Sequence, residues 1–158
     1  MVEQPVVELC PVATEQKQLA AYVDGGYSPN ERKGVWCFII DGGNPSYGFM
    51  EDPDSKLSNN IMEYRAIIEL LKSAPAGAVL TVNSDSQLVV NQLLKIYRVN
   101  YDHLVELNDE VWEIVSQKNL NVSFKWIPRE TNAAGRFIER NQRSWFGRKF
   151  RENYMRRR

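Results

Sequence analysis

Leu19-Ala-Ala-Tyr-Val-Asp-Gly-Gly-Tyr27 is a run of strand length that ends in a carboxylate, with two glycines immediately behind it. Glycine permits backbone approaches that a Cβ would block, so Asp24 is placed where it can reach a cation or a phosphate. Asp-Gly is equally a turn signal. What decides between the two readings is the company Asp24 keeps further along the chain, at Glu63 and Asp85.

Outward from that strand, about 18–25, a turn-rich piece (Ser28-Pro-Asn-Glu-Arg-Lys-Gly34) leads to Val35-Trp-Cys-Phe-Ile-Ile40, which is β-branched and aromatic. Asp41-Gly-Gly-Asn-Pro45 separates this from Ser46-Tyr-Gly-Phe-Met50, and the three runs predict an antiparallel meander. Ser58 is an N-cap type, and Met62, Ala66, Ile67, Leu70 and Leu71 follow at helical spacing until Pro75-Ala-Gly77. Ala78-Val-Leu-Thr-Val-Asn83 reads as a buried strand, 88–94 and 102–118 as helices, and Asn121-Val-Ser-Phe-Lys-Trp-Ile127 as the last strand, closed by Pro128. From Asn132 the pattern is helical to about Phe150, with Gly147 its weak point. The order β-β-β-α-β-α-α-β-α predicts an α/β (mixed α+β) fold, a five-stranded mixed sheet with helices on both faces. Residues 1–17, with two prolines and no period, are expected to be an extension; 18–146 form the domain, and 147–158 a basic tail.

Asp24 lies near the end of the first strand, Glu63 in the first helix, and Asp85 just past the C-terminal end of the fourth strand, where open α/β sheets place ligands. Clustered carboxylates need protons or cations to balance them, and hard oxygen donors suit Mg²⁺ or Mn²⁺. The three converge only if the first and fourth strands are neighbours.

Val23-Asp-Gly-Gly26, Ser58-Asn-Asn-Ile-Met-Glu63, Asn83-Ser-Asp-Ser-Gln87 and Trp126-Ile-Pro-Arg-Glu-Thr-Asn132, in this order and spacing, resemble the type-one ribonuclease H family over about 19–140. The resemblance implies a ribonuclease H-like fold and an endonuclease that cuts the RNA strand of RNA–DNA hybrids. It also implies two Mg²⁺ ions, with Mn²⁺ as a substitute, held by Asp24, Glu63 and Asp85 for in-line displacement, with the Gly25 carbonyl as a further ligand. It carries substrate contacts onto Gly26, Asn30, Ser58, Asn59, Asn60 and Gln87. Amide side chains both donate to and accept from the 2′-hydroxyls that mark RNA. A monomer is expected.

The chain departs from the family at its last motif, where a fourth carboxylate opens the final helix. Here Asn132 is followed by Ala133-Ala-Gly-Arg136, so Arg136 takes that place. An arginine cannot ligate a cation. Three readings stand: Asn132 turns its amide oxygen into the site; Glu139 helps from a turn later; or the place has no ligand and activity is weak, or Arg136 contacts a phosphate instead. Asn132 is preferred as catalytic residue and metal ligand, because a neutral oxygen still suits Mg²⁺; its plain reading is the N-cap. Arg129, in a loop that lacks the family's histidine, stands as a substrate contact. The alternative function is a nucleic-acid-binding module of the same fold with weak or lost catalysis; a DNA-processing nuclease or integrase ranks behind both.

Net charge is zero, but 125–158 hold 11 basic and 3 acidic residues while the rest of the chain holds 9 basic and 17 acidic. A basic end beside an acidic body fits an anionic partner together with cation-binding carboxylates. Trp145, Phe146, Arg148, Lys149, Phe150 and Arg151 are a candidate grip on it, with packing the expected fate of Trp145 and Phe146. No apolar run approaches the roughly 20 residues that cross a bilayer, and Met1-Val-Glu-Gln-Pro5 lacks signal-peptide character. Cys10 and Cys37 have no metal-ligand spacing and read as reduced thiols. A cytoplasmic protein without membrane contact is expected.

Overall fold

The computed structural model describes residues 18–147; the expected extension at 1–17 and the tail from 148 onward lie outside the described residues. Five strands, β1 (Gln18–Ser28), β2 (Lys33–Ile40), β3 (Ser46–Glu51), β4 (Val79–Ser84) and β5 (Asn121–Trp126), form one sheet in the order β3-β2-β1-β4-β5. The first three pair antiparallel, and β1–β4 and β4–β5 pair parallel, so the sheet is mixed and its first and fourth strands are neighbours. β1 runs three residues beyond its predicted end, because Tyr27 and Ser28 go on pairing with Gly34 and Lys33 across the hairpin.

The helices are α1 (Asn59–Ser73), α2 (Gln87–Leu93), α3 (Asp102–Gln117) and α4 (Ala133–Phe146). The last stops at Gly147, whose φ of 83° breaks it short of the predicted Phe150. In β2, alternate residues serve opposite faces. Phe38 joins Ala21, Val23, Val82 and the apolar sides of α1, α2 and α3, whereas Val35, Cys37 and Ile39 pack against Ala134, Ile138 and Phe146 of α4. Helices therefore cover both faces. Tyr47 and Phe49, on the edge strand β3, meet Phe137, Trp145 and Phe146, so the two aromatics at the end of α4 are packed against the sheet. No helix among the described residues is long and apolar enough to cross a membrane.

Helix α1 is buried nearly all round, as an element enclosed between a sheet and another helix must be. Burying it demands partners for its polar groups. Tyr64 donates its hydroxyl hydrogen to Gln92 Oε1 at 2.7 Å and accepts from Asn108 Nδ2 at 3.1 Å, tying α1 to α2 and α3. Lys118 Nζ donates to the carbonyls of Leu71 and Lys72 at 2.8 and 2.7 Å, closing the far end of the helix. Cys37 is a free thiol with no exposure, and burial pushes its pKa up to about 12, which leaves it unreactive.

Tyr64→Phe leaves the buried Gln92 oxygen without its donor, and should cost about 1–3 kcal/mol in urea unfolding at an unchanged m-value. An unchanged midpoint would show that this network contributes nothing.

Candidate active site

Parallel pairing aligns Ala21 with Val82, Tyr22 with Asn83 and Val23 with Ser84, so Asp24 and Asp85 follow side by side where the two strands end. Glu63 enters from α1. Its approach depends on Gly25: a Cβ there would lie 2.3 Å from the Met62 carbonyl carbon and oxygen and 2.7 Å from the Glu63 nitrogen. Asp24, Glu63 and Asp85 each offer a carboxylate oxygen within 4.8 Å of the others. Asp24 and Glu63 are buried, and Asp85 is half-buried.

Burial pushes the Glu63 carboxyl up to about 8, against the smaller opposing effect of a hydrogen bond from the Gly25 backbone. An acid held neutral by burial beside two others is a site short of positive charge. A donor set of hard carboxylate oxygens, with a glycine where backbone must come close, fits Mg²⁺ or Mn²⁺. Asp24, Glu63 and Asp85 are the residues that would hold it.

Asn132 lies in the same cluster, without exposure, but not in the orientation the sequence suggested. Its oxygen accepts from the Ala134 N–H at 3.1 Å and so caps α4. Its Nδ2 donates to Asp85 Oδ2 at 3.0 Å and to the Val23 carbonyl at 2.9 Å. Both partners of the nitrogen are acceptors and the partner of the oxygen is a donor, so the amide cannot be turned over without losing all three bonds. The amide oxygen is thus committed to the helix, and the nitrogen holds Asp85. Glu139, the second reading, accepts from Arg129 Nε at 2.8 Å, which also engages the arginine placed among the substrate contacts. Arg136 is exposed, and its Nη1 reaches back to the Glu130 carbonyl at 3.4 Å.

The other candidates spread around this centre. Ser58 caps α1 by accepting from the Ile61 N–H at 3.2 Å, and Asn59 Oδ1 accepts from the Tyr27 N–H at 2.8 Å, which pins the start of α1 to β1. Asn60 is half-buried beside it; Gln87 is exposed at the first residue of α2; Asn30 is exposed in the β1–β2 turn; Gly26 is buried and pairs with Val35.

Sequence reasoning missed two supports. Asp52, almost fully buried, accepts from the Tyr27 hydroxyl and from the N–H groups of Lys56 and Leu57 at 2.7 and 3.1 Å, setting the loop that delivers Ser58. Burial alone would raise the Asp52 carboxyl, but these bonds and nearby Arg32 bring it below its ordinary value. Trp126 Nε1 donates to the Asp85 carbonyl at 3.2 Å, a second hold on that residue. The Tyr27–Asp52 and Trp126–Asp85 bonds carry no local signal, because their ends lie 25 and 41 positions apart, whereas the bonds from Lys56 and Leu57 are local to Asp52.

Asn132→Asp keeps the cap but deletes both donors and sets a carboxylate against Asp85. In metal-free protein the change should cost about 1–3 kcal/mol, read by thermal unfolding, with Mg²⁺ recovering part of the loss. A variant as stable as the parent without metal would overturn the donor role. Gly25→Ala should separate α1 from β1, lowering stability by about 1–3 kcal/mol and weakening Mg²⁺ binding by calorimetry; unaltered Mg²⁺ affinity would contradict the close-approach requirement.

The RNase H family model matches residues 16–137. A ribonuclease H of Anaeromyxobacter dehalogenans is 34% identical over 85 residues, which is 49% of this chain and 46% of that protein, so the chain spans about half the length of the curated relatives it matches. Among solved structures, LC11-RNase H1 in complex with RNA/DNA hybrid is 27% identical with a TM-score of 0.60, covering 73% of this chain and 88% of that one. RNase H1 of the halophilic archaeon Halobacterium salinarum has a TM-score of 0.64 at 24% identity, covering 75% and 91%, a likeness of fold. The family match takes in β1 with Asp24, α1 with Glu63, the β4 end with Asp85 and the cap at Asn132, the same elements that build the cluster. On that extent of agreement, this chain belongs to the ribonuclease H family.

Proposed function

We propose that this chain hydrolyses the RNA strand of RNA–DNA hybrids, using two divalent cations, Mg²⁺ with Mn²⁺ as a substitute, held by Asp24, Glu63 and Asp85. The observation that carries the reading is the convergence of these three carboxylates within 4.8 Å on elements far apart in sequence. Membership of the family and the likeness to an RNase H1 solved with hybrid support it. Bound there, the cations supply an activated water, charge for the phosphoryl oxygens and stabilisation of the leaving 3′-oxygen.

The protein's own part is positioning. Asn132 and Trp126 hold Asp85 from two sides, through its carboxylate and its carbonyl. Gly25 brings the Glu63 carboxylate to the end of β1. Residues 58–60 sit beside the cluster because Asn59 is fastened to β1 by its oxygen, and its amide nitrogen together with Asn60 and Gln87 meets the 2′-hydroxyls and base edges of the minor groove. Such a wide, shallow groove carries the hydroxyls that distinguish an RNA strand. Asp52 and Tyr27 act one step back, by fixing the loop from which Ser58 starts α1.

A labelled RNA–DNA hybrid should be cleaved on its RNA strand in Mg²⁺ or Mn²⁺ and left intact in chelator. Asp24→Asn, Glu63→Gln and Asp85→Asn should each reduce the rate by at least ~100-fold, the upper range for loss of groups that merely support a metal. Binding of hybrid without cleavage in either metal would make the chain a binding module instead. Cutting of duplex DNA with hybrid left untouched would favour the DNA-processing reading.

A further inference from the structure

Helix α4 carries a charge pattern found on no other helix of the described residues. On α1, Glu69 lies 3.8 Å from both Arg65 and Lys72, so opposite charges alternate along its surface. On α3 the charges are acidic, with Asp102, Glu106, Asp109, Glu110 and Glu113 and no lysine or arginine. On α4 the one acid, Glu139, is taken by Arg129 from the turn before the helix. Arg136, Arg140 and Arg143 are left on the outside. All three are exposed, their spacing of four and three residues puts them on one stripe, and none makes an ion pair among the described residues. Like charges at these spacings oppose helix formation, so the stripe is unfavourable for folding as it stands.

Its position gives it a use. Arg136 stands one turn beyond Asn132, whose Nδ2 touches the Asp85 carboxylate, and the Arg136 N–H donates to the Asn132 carbonyl at 3.0 Å. From there to Arg143 the helix rises about 10 Å, the axial length of roughly three phosphates of one strand. We infer that the outer face of α4 is a phosphate track: Arg136, Arg140 and Arg143 bind the sugar–phosphate backbone of the nucleic acid where it leaves the carboxylate cluster, a contact separate from the one made by residues 58–60. Guanidinium groups suit the task, because they stay charged and offer paired donors to phosphate oxygens. The track reads no bases; it adds length to the footprint and strengthens the salt dependence of binding. This inference rests on the hybrid-nuclease reading of the site.

The test is the binding of labelled hybrid by the full chain, followed by anisotropy in chelator over a range of salt. Arg140→Gln/Arg143→Gln removes two charges from exposed positions remote from the core. The log–log slope should fall by about 2 and the affinity at ~0.1 M salt by roughly 10- to 100-fold, whatever the base sequence. Arg140→Lys/Arg143→Lys keeps both charges and should keep the slope. A wild-type slope in the folded Gln variant overturns the track while leaving the nuclease reading intact. Wild-type protein that neither binds nor cuts hybrid overturns that reading, and the track with it.

Discussion

The parallel pairing of β1 with β4 is the constraint on which the rest of the molecule depends. Three antiparallel strands make a meander on their own, but a hairpin order alone would leave Asp24 and Asp85 on unrelated edges. Setting β4 beside β1, rather than beside β3, brings the two strand ends together and forces a crossover through α1. That crossover carries the third carboxylate. The register leaves no slack: a slip of one residue would turn every side chain of β1 to the other face and put Val23 where Asp24 belongs. Gly25 then decides how near α1 can come, which makes one missing Cβ as necessary to the cluster as the acids themselves.

Such a cluster is costly to fold around. A Glu63 pKa pushed from 4.5 to about 8 corresponds to roughly 5 kcal/mol against its ionised form, paid for by the apolar burial of α1. The sign of the linkage follows: in metal-free protein the stabilising contribution of neutral Glu63 is complete below about 4.5 and lost as pH rises through about 8. A cation reverses this preference, so the arrangement is one that stores unfavourable electrostatics until positive charge arrives. Asn132 serves the same end differently. Its amide nitrogen relieves Asp85 with a neutral donor while its oxygen starts α4, so one side chain anchors both the carboxylate and the helix.

Much of this was legible in the residues. The apolar run into Asp24, the cap at Ser58 with Glu63 five positions on, and the β4 end at Asp85 are local patterns, and local patterns survive translation into structure. The meander and the mixed sheet followed from the order of strands and helices, whereas the pairing of β1 with β4 stood as the condition for convergence and is met by the fold. What could not be read were the bonds whose two ends are far apart in sequence. The cap made by the Asn132 oxygen is a local pattern, but the bond from its nitrogen to the Val23 carbonyl, 109 residues away, is encoded by no periodicity. Tyr27 and Asp52 look like an ordinary strand residue and an ordinary turn residue until folding joins them. The end of α4 came earlier than predicted because a positive φ at Gly147 stopped a run whose composition still favoured helix.

The arginine at 136 also acquires a physical sense from the fold. A carboxylate at 136 would have added negative charge near a cluster in which burial already holds Glu63 neutral. With arginine there, the side chain leaves the cluster for the Glu130 carbonyl and solvent, and the charge of α4 continues in the same sign through Arg140 and Arg143. On the opposite face of the sheet, α3 is acidic without a compensating base. The chain's zero net charge thus conceals two helices of opposite sign on opposite faces of the sheet. A polyanion approaching such a molecule is turned away from α3 and drawn to α4, and α4 begins at the residue that holds Asp85. Charge segregation by the sheet therefore gives the molecule one face that attracts a polyanion and one that repels it.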